Sequence, residues 1–197
     1  MIKIAVHEDF PDGRLFIGIR MIKQGVLGNH GRTRHQSIYG CGSNRGQKAA
    51  AIGEVPIGAV IVHQGEIIGR GYNLRETTQD ATHHAEMLAI QAACKTLGTW
   101  RLEDCSLFVT LEPCPMCAGA MINARVATCY FGATDPKAGV AGTFYNLLAD
   151  TRFNHQVAVV SGIKADESAT LLQTFFRTIR AKRKAAKRAG QTSENQL

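Results

Sequence analysis

The stretch SLFVTLEPCPMCAGAMINA, Ser106 to Ala124, sets a strand and a helix on either side of a Cys-x-x-Cys. Ser106–Thr110 is a short apolar run ended by Glu112 and Pro113, which predicts a strand. Met116–Ala124 carries a helical pattern, with Cys114 and Cys117 in or beside its first turn. Pro113, just before the first cysteine, suits entry into that helix.

Working outward, Ile57–His63 and Glu66–Tyr72 are two strand candidates, and the Gln64-Gly65 link between them predicts a hairpin turn. His84–Leu97 places Met87, Leu88, Ile90, Ala93 and Cys94 on one helical stripe. Ala127–Phe131 and Gln156–Val160 are further strands. Ser168–Lys187 is a long helix with Leu171, Leu172, Phe175, Phe176 and Ile179 on its inner face. Strands interleaved with helices predict an α/β domain whose sheet is covered on both faces.

The 197 residues allow one domain with a sizeable core, and a hydrophobic share of 45% is that of an ordinary globular chain. No apolar run is long enough to span a bilayer. Met1–Lys23 is broken by His7, Glu8, Asp9, Asp12 and Arg14 and lacks the order of a secretory signal, so a cytoplasmic location is expected. In that setting the six cysteines do not imply a disulfide framework, and Cys94, Cys105 and Cys129 sit in apolar surroundings, as buried thiols do. The net charge of +7 gathers on Arg177, Arg180, Lys182, Arg183, Lys184, Lys187 and Arg188. Such a run serves either as a solvated helix face or as a phosphate-contacting element, and charge alone leaves both open.

A lone Cys-x-x-Cys fits a redox pair, a structural zinc knuckle or a catalytic site. The one further strong ligand group in a comparable position is His84-Ala85-Glu86, at the start of another predicted helix. His84, Cys114 and Cys117 give three protein ligands and leave zinc's fourth tetrahedral position to water, the arrangement of catalytic sites. Glu86, two residues along the helix, points elsewhere than His84 and is placed to act as general base and then general acid. His7, His30, His35, His63 and His155 have no metal-site spacing.

With these residues in place, the chain resembles the bacterial tRNA-specific adenosine deaminases, within the cytidine and deoxycytidylate deaminase superfamily. The His-x-Glu and Pro-Cys-x-x-Cys patterns are those of zinc-dependent base deaminases, and that spacing selects His84 over the adjacent His83. The narrower likeness, over residues 49–188, rests on Gly53-Glu54-Val55-Pro56-Ile57-Gly58-Ala59-Val60, on Gly71-Tyr72-Asn73 and on Thr110 through Ala120. It extends to Phe131-Gly132-Ala133-Thr134-Asp135-Pro136-Lys137-Ala138-Gly139 and Phe175-Phe176-Arg177. The resemblance implies a three-layer α/β/α sandwich around a five-stranded mixed sheet, one zinc per subunit and a homodimer. It implies deamination of the wobble adenosine of a tRNA anticodon to inosine, with the anticodon stem-loop as partner. It also implies that Asn73 contacts the flipped nucleoside, that Val55 and Pro56 wall the pocket, and that Asp135 meets the substrate backbone. Asn154 and His155 would contact the RNA loop, and Phe175, Phe176 and Arg177 the nucleotides beside the target. The rival readings are a deaminase of a free base, nucleoside or nucleotide, and a zinc-stabilised RNA-binding module without catalysis.

Family members carry an amphipathic helix before the Gly53-Glu54-Val55-Pro56 segment. Here Gly, Asn, Arg and His dominate Gly25–Gln47, and neither a sustained period nor an apolar stripe is visible. Residues 1–48 are therefore expected to be irregular and foreign to the fold. They fit upstream DNA translated out of frame, since permitted codons for His30–Lys48, shifted by one base, can spell the helix-patterned MDEQDINLFMDAALTEAKK. Residues 49–188 form the expected deaminase domain, and 189–197 a disordered polar tail.

Overall fold

The computed structural model describes residues 29–194, with side chains over 35–187. The elements in chain order are α1 Asn29–Ala51, β1 Gly58–His63, β2 Glu66–Tyr72, α2 Arg75–Thr78, α3 Ala85–Leu97 and β3 Cys105–Leu111. There follow α4 Pro115–Asn123, β4 Thr128–Ala133, a 3-10 turn at Leu147–Ala149, β5 Ala158–Val160 and α5 Ala165–Glu194. The sheet order is β2-β1-β3-β4-β5. β1 pairs antiparallel with β2 and β3, whereas β3, β4 and β5 run parallel, so the sheet is mixed. The β1–β2 hairpin turns on Gln64 and Gly65, both at positive φ (49° and 85°), the geometry that matches strand twist in a two-residue turn.

Side chains alternate across the sheet because successive strand residues face opposite ways. Ala59, Ile61, Leu107, Val109, Cys129 and Phe131 join one core with α3 and α4. Val60, Val62 and Phe108 face the other way and join Tyr39 of α1. Burial on both faces explains why β1 and β3 read as continuous apolar runs. The result is a three-layer α/β/α sandwich, with α3 and α4 on one side and α1 and α5 on the other.

The expectation of an irregular segment through residue 48 is corrected: residues 29–51 are helical and cover one face of the sheet. The helix packs through one large residue, Tyr39, and otherwise through small ones. Tyr39, Gly42, Gly46 and Ala49 are buried at helical spacing, and a Cβ on Gly46 would lie 2.7 Å from the Pro56 carbonyl oxygen. Glycine costs a helix roughly 1 kcal/mol against alanine. α1 is therefore held by its packing and not by propensity. The Tyr39 hydroxyl also bonds the Thr110 carbonyl at 3.3 Å and makes a short contact with Ser168 Oγ, which joins α1, β3 and α5. The tail expectation is corrected in part, since the α5 backbone stays helical to Glu194. Residues 195–197 and 1–28 lie outside the described residues. No helix among the described residues is long and apolar enough to cross a membrane.

Two substitutions in α1 check this packing by urea unfolding. Gly46→Ala, which meets backbone, is expected to lose about 1–3 kcal/mol of stability. Gly40→Ala, with nothing within 4 Å of the new methyl, is expected to gain about 0.5–1 kcal/mol. Equal effects of the two would contradict the helix face described.

Candidate active site

His84 and Cys114 occupy equivalent places: each is the residue just before a helix, α3 and α4, with extended backbone (φ −78° for both). Neither side chain caps its helix, so both are free to turn toward a common point. Pro115 opens α4, in place of the Pro113 expected from sequence. Cys117 follows in the first turn of α4 and is buried.

His84 Nδ1 lies 3.6 Å from Cys114 Sγ and 3.6 Å from Cys117 Sγ. All three ligand atoms fall within 4.8 Å of one another. Zinc–sulfur and zinc–nitrogen bonds of about 2.3 and 2.05 Å at tetrahedral angles separate nitrogen from sulfur by about 3.6 Å. The spacing therefore fits a tetrahedral metal with one position left over. His83 is turned away, with Nδ1 at 2.8 Å from Thr78 Oγ1 and Nε2 at 3.3 Å from Asp80 Oδ2.

The protonation chemistry of the cluster is that of a site built for a cation. Donation from the Cys117 thiol, against the effect of burial, holds the Cys114 thiol down at about 4. Cys117 is pushed far up, chiefly by that same bond and then by burial. The bond to Cys114 also raises His84, with burial opposing. Two sulfurs this close share a proton unless a metal takes its place, since metal ligands must be deprotonated.

Glu86 stands in the first turn of α3 and is only 4% exposed. Burial lifts its carboxyl to about 7, with the Cys114 sulfur adding to the rise and the backbone bond and His84 opposing it. That value lies where a side chain both takes and gives protons at neutral pH, though a dication beside it would draw it down.

His84, Glu86 and Cys114 line a pocket of about 620 Å³. Val55, Asn73, Asp135 and Phe176, expected from the resemblance, line it too. Pro56 is buried off the pocket, and Ile57 takes the wall position assigned to it. Phe175 reaches the pocket only through Phe176, whose ring it meets edge-on at 5.5 Å, while Arg177 is exposed off the pocket. Asn154 is exposed away from it, and the His155 ring bonds the Val126 carbonyl at 2.8 Å with Nε2. Sequence reasoning missed Arg75 and Lys137, two cations on the lining, whereas Arg180, also on the lining, belongs to the basic run left open between solvated face and phosphate contact. Arg180 had a signal, standing four residues after Phe176 on one helix face. Glu54 was missed as well: it is 1% exposed, and its oxygens accept from Asn73 Nδ2 at 2.9 Å and the Thr77 backbone N–H at 2.5 Å.

A family model for MafB19-like deaminases matches residues 33–180. A tRNA-specific adenosine deaminase of Bacillus subtilis (strain 168) is 59% identical over 142 residues, covering 72% of this chain and 88% of that protein. The chain belongs to the tRNA-specific adenosine deaminase family. A further member, from Haemophilus influenzae, is 43% identical over 141 residues, 71% of this chain and 82% of that protein. Among solved structures, one from a study of A-to-I editing by tRNA:A34 deaminases at the wobble position of transfer RNA superposes with a TM-score of 0.67. Its identity is 39%, covering 69% of this chain and 99% of that one. A guanine deaminase from Nitrosomonas europaea shares the fold at 22% identity and a TM-score of 0.64, over 71% and 83% of the two chains.

The cluster geometry makes a direct forecast. Cobalt(II) added to metal-free protein is expected to develop thiolate-to-metal absorption that saturates at one equivalent per chain. Cys117→Ala is expected to abolish that absorption and His83→Ala to leave it intact.

Proposed function

We propose that the chain is a zinc-dependent hydrolase that converts adenosine to inosine at the wobble position of a tRNA anticodon and releases ammonia. The observation that carries this reading is Glu86, buried beside His84, Cys114 and Cys117 in a pocket whose lining holds Phe176, Arg180, Arg75 and Lys137. A base held against a carboxylate and a metal cluster, beneath an aromatic ring and three cations, is what a nucleotide everted from RNA requires. The high identity to tRNA-specific adenosine deaminases supports the same substrate.

His84, Cys114 and Cys117 would hold one zinc ion per subunit. When bound there, zinc makes a water molecule acidic enough to serve as a nucleophile near neutral pH. Glu86 takes the proton from that water and passes it to N1 of the purine as the water oxygen bonds to C6. Glu86 then carries the remaining proton to the amino group, the C6–N bond breaks, and nitrogen departs as ammonia. An adenosine in a loop costs less to unstack than one in a duplex, which favours the anticodon as substrate. Arg177, Arg180, Lys182, Arg183, Lys184 and Lys187 stand exposed along α5, where they would meet phosphates.

The same reading includes a homodimer and a cytoplasmic site of action, both supported by the resemblance to bacterial members. It places the start of the deaminase domain at α1 instead of residue 49, because α1 covers the sheet and the family match begins at residue 33.

Incubation with an adenosine-bearing anticodon stem-loop, followed by sequencing, is expected to yield A-to-G reads at the wobble position. Glu86→Gln is expected to lower turnover by roughly 10²–10⁴-fold while zinc content stays unchanged. A binding module without catalysis would lose nothing on that change, and a free-base deaminase would ignore the stem-loop. KM for the stem-loop is also expected to rise steeply with salt, as phosphate contacts demand.

A further inference from the structure

Glu112 lies on the pocket wall, two residues before Cys114, and is 2% exposed. An ionised carboxylate offers about four acceptor positions on its two oxygens. Here four donors meet them. Oε1 accepts from the backbone N–H groups of Ala141 (2.9 Å) and Thr143 (3.0 Å). Oε2 accepts from the Asp135 N–H at 3.0 Å and, in a short bond, from the Thr143 hydroxyl. No acceptor position is left for a substrate or a migrating proton, so Glu112 does not duplicate Glu86.

The donors bracket one segment. Asp135 stands near one end of it and Ala141 and Thr143 at the other, and residues 134–138 of this segment line the pocket. The chain turns back tightly there: Gly139 N–H donates to the Asp135 carbonyl at 2.9 Å, and Val140 N–H to the Pro113 carbonyl at 3.1 Å. A Cβ on Gly139 would lie 2.4 Å from the Glu112 carboxylate, so the segment is fitted onto that group without space to spare. Asp135 and Lys137 are the charged side chains that this segment brings to the pocket. An ammonium and a carboxylate at a pocket lined elsewhere by Phe176 and Arg180 suit phosphate and sugar hydroxyl groups better than a purine ring.

We propose that Glu112 is a positioning residue. It fixes the 134–143 segment as a preformed wall, so that Asp135 and Lys137 recognise the polynucleotide part of the substrate, and it favours RNA over free nucleoside without touching either. This inference rests on the RNA deaminase reading above. Preorganised walls raise affinity by removing an ordering cost, so the effect falls on KM.

Glu112→Gln keeps the shape but sets an NH2 group against two of the four donors. It is expected to raise KM for the anticodon stem-loop about tenfold or more, with kcat changed less than about threefold and zinc content unchanged. Amide exchange at Asp135, Ala141 and Thr143 is expected to speed up at the same time. Gly139→Ala, which leaves the carboxylate in place and displaces the segment from it, is expected to reproduce the KM effect, and Thr143→Ala a smaller one. A drop in kcat at constant KM, or loss of zinc from Glu112→Gln, would overturn the proposal by tying the residue to the metal centre. Should Glu112→Gln fail to fold, normal KM values in both Gly139→Ala and Thr143→Ala would overturn it. Should the wild-type chain leave the stem-loop unmodified, the functional reading fails on its own. Amide exchange then still decides the wall, and protection unchanged by Glu112→Gln rejects it.

Discussion

Two helices begin at almost the same point in space, and the remainder of the pocket depends on that convergence. β1 and β3 are neighbours in the sheet, α3 follows the strand paired to β1, and α4 follows β3 directly. The N-terminal ends of α3 and α4 therefore meet beside the pocket. Free N–H groups and aligned peptide dipoles favour negative charge there, which suits thiolates and a carboxylate. Neither His84 nor Cys114 is used up as a helix cap, so the first turns spend their polar side chains on the cluster.

Three buried glutamates show how environment divides one side chain among different tasks. Glu112 suffers from burial, yet donors from Thr143, Asp135 and Ala141 outweigh it and hold the carboxyl below its ordinary value. Glu86 is buried to a similar degree, receives less compensation and is lifted to about 7. Glu54 takes one N–H on each oxygen and steadies Asn73 and the first turn of α2. A saturated carboxylate is suited to fixing geometry, and an undersatisfied one to moving protons. Hydrogen-bond count separates Glu86 from Glu112 more sharply than burial does.

The parts of the molecule legible in the sequence were those governed by local rules. The Gln64-Gly65 turn, the two-faced strands and the helix starts at His84 and Cys114 each rest on neighbours within a few residues. Val55, Asn73, Asp135 and Phe176 came from resemblance and lie on the pocket. α1 escaped because the periodicity test looks for large apolar residues, whereas this helix meets β1 through Gly42, Gly46 and Gly58, where backbones touch. Lys137, in a loop, and Arg75, opening the short α2, escaped because a lone cation declares itself only when the fold brings it to a cavity. The role expected of His155 gave way to a bond with Val126, a contact across 29 positions that no local pattern carries.

The two faces of the sheet differ in how firmly they are held, and the difference protects the site. The α3–α4 face has a continuous core from Ala59 to Val157, and every side chain of the metal cluster and Glu86 springs from those two helices or the residues just before them. The opposite face centres on Tyr39, Val60, Val62 and Phe108, under a glycine-rich helix and an α5 that buries no side chain between Ser168 and Lys187. A local opening that costs little is drawn from regions with few buried apolar contacts. By that rule openings are expected on α1 and outer α5, and under the proposed function Phe176 and Arg180 would adjust to a bulky nucleic acid while Glu86 beneath them stays fixed.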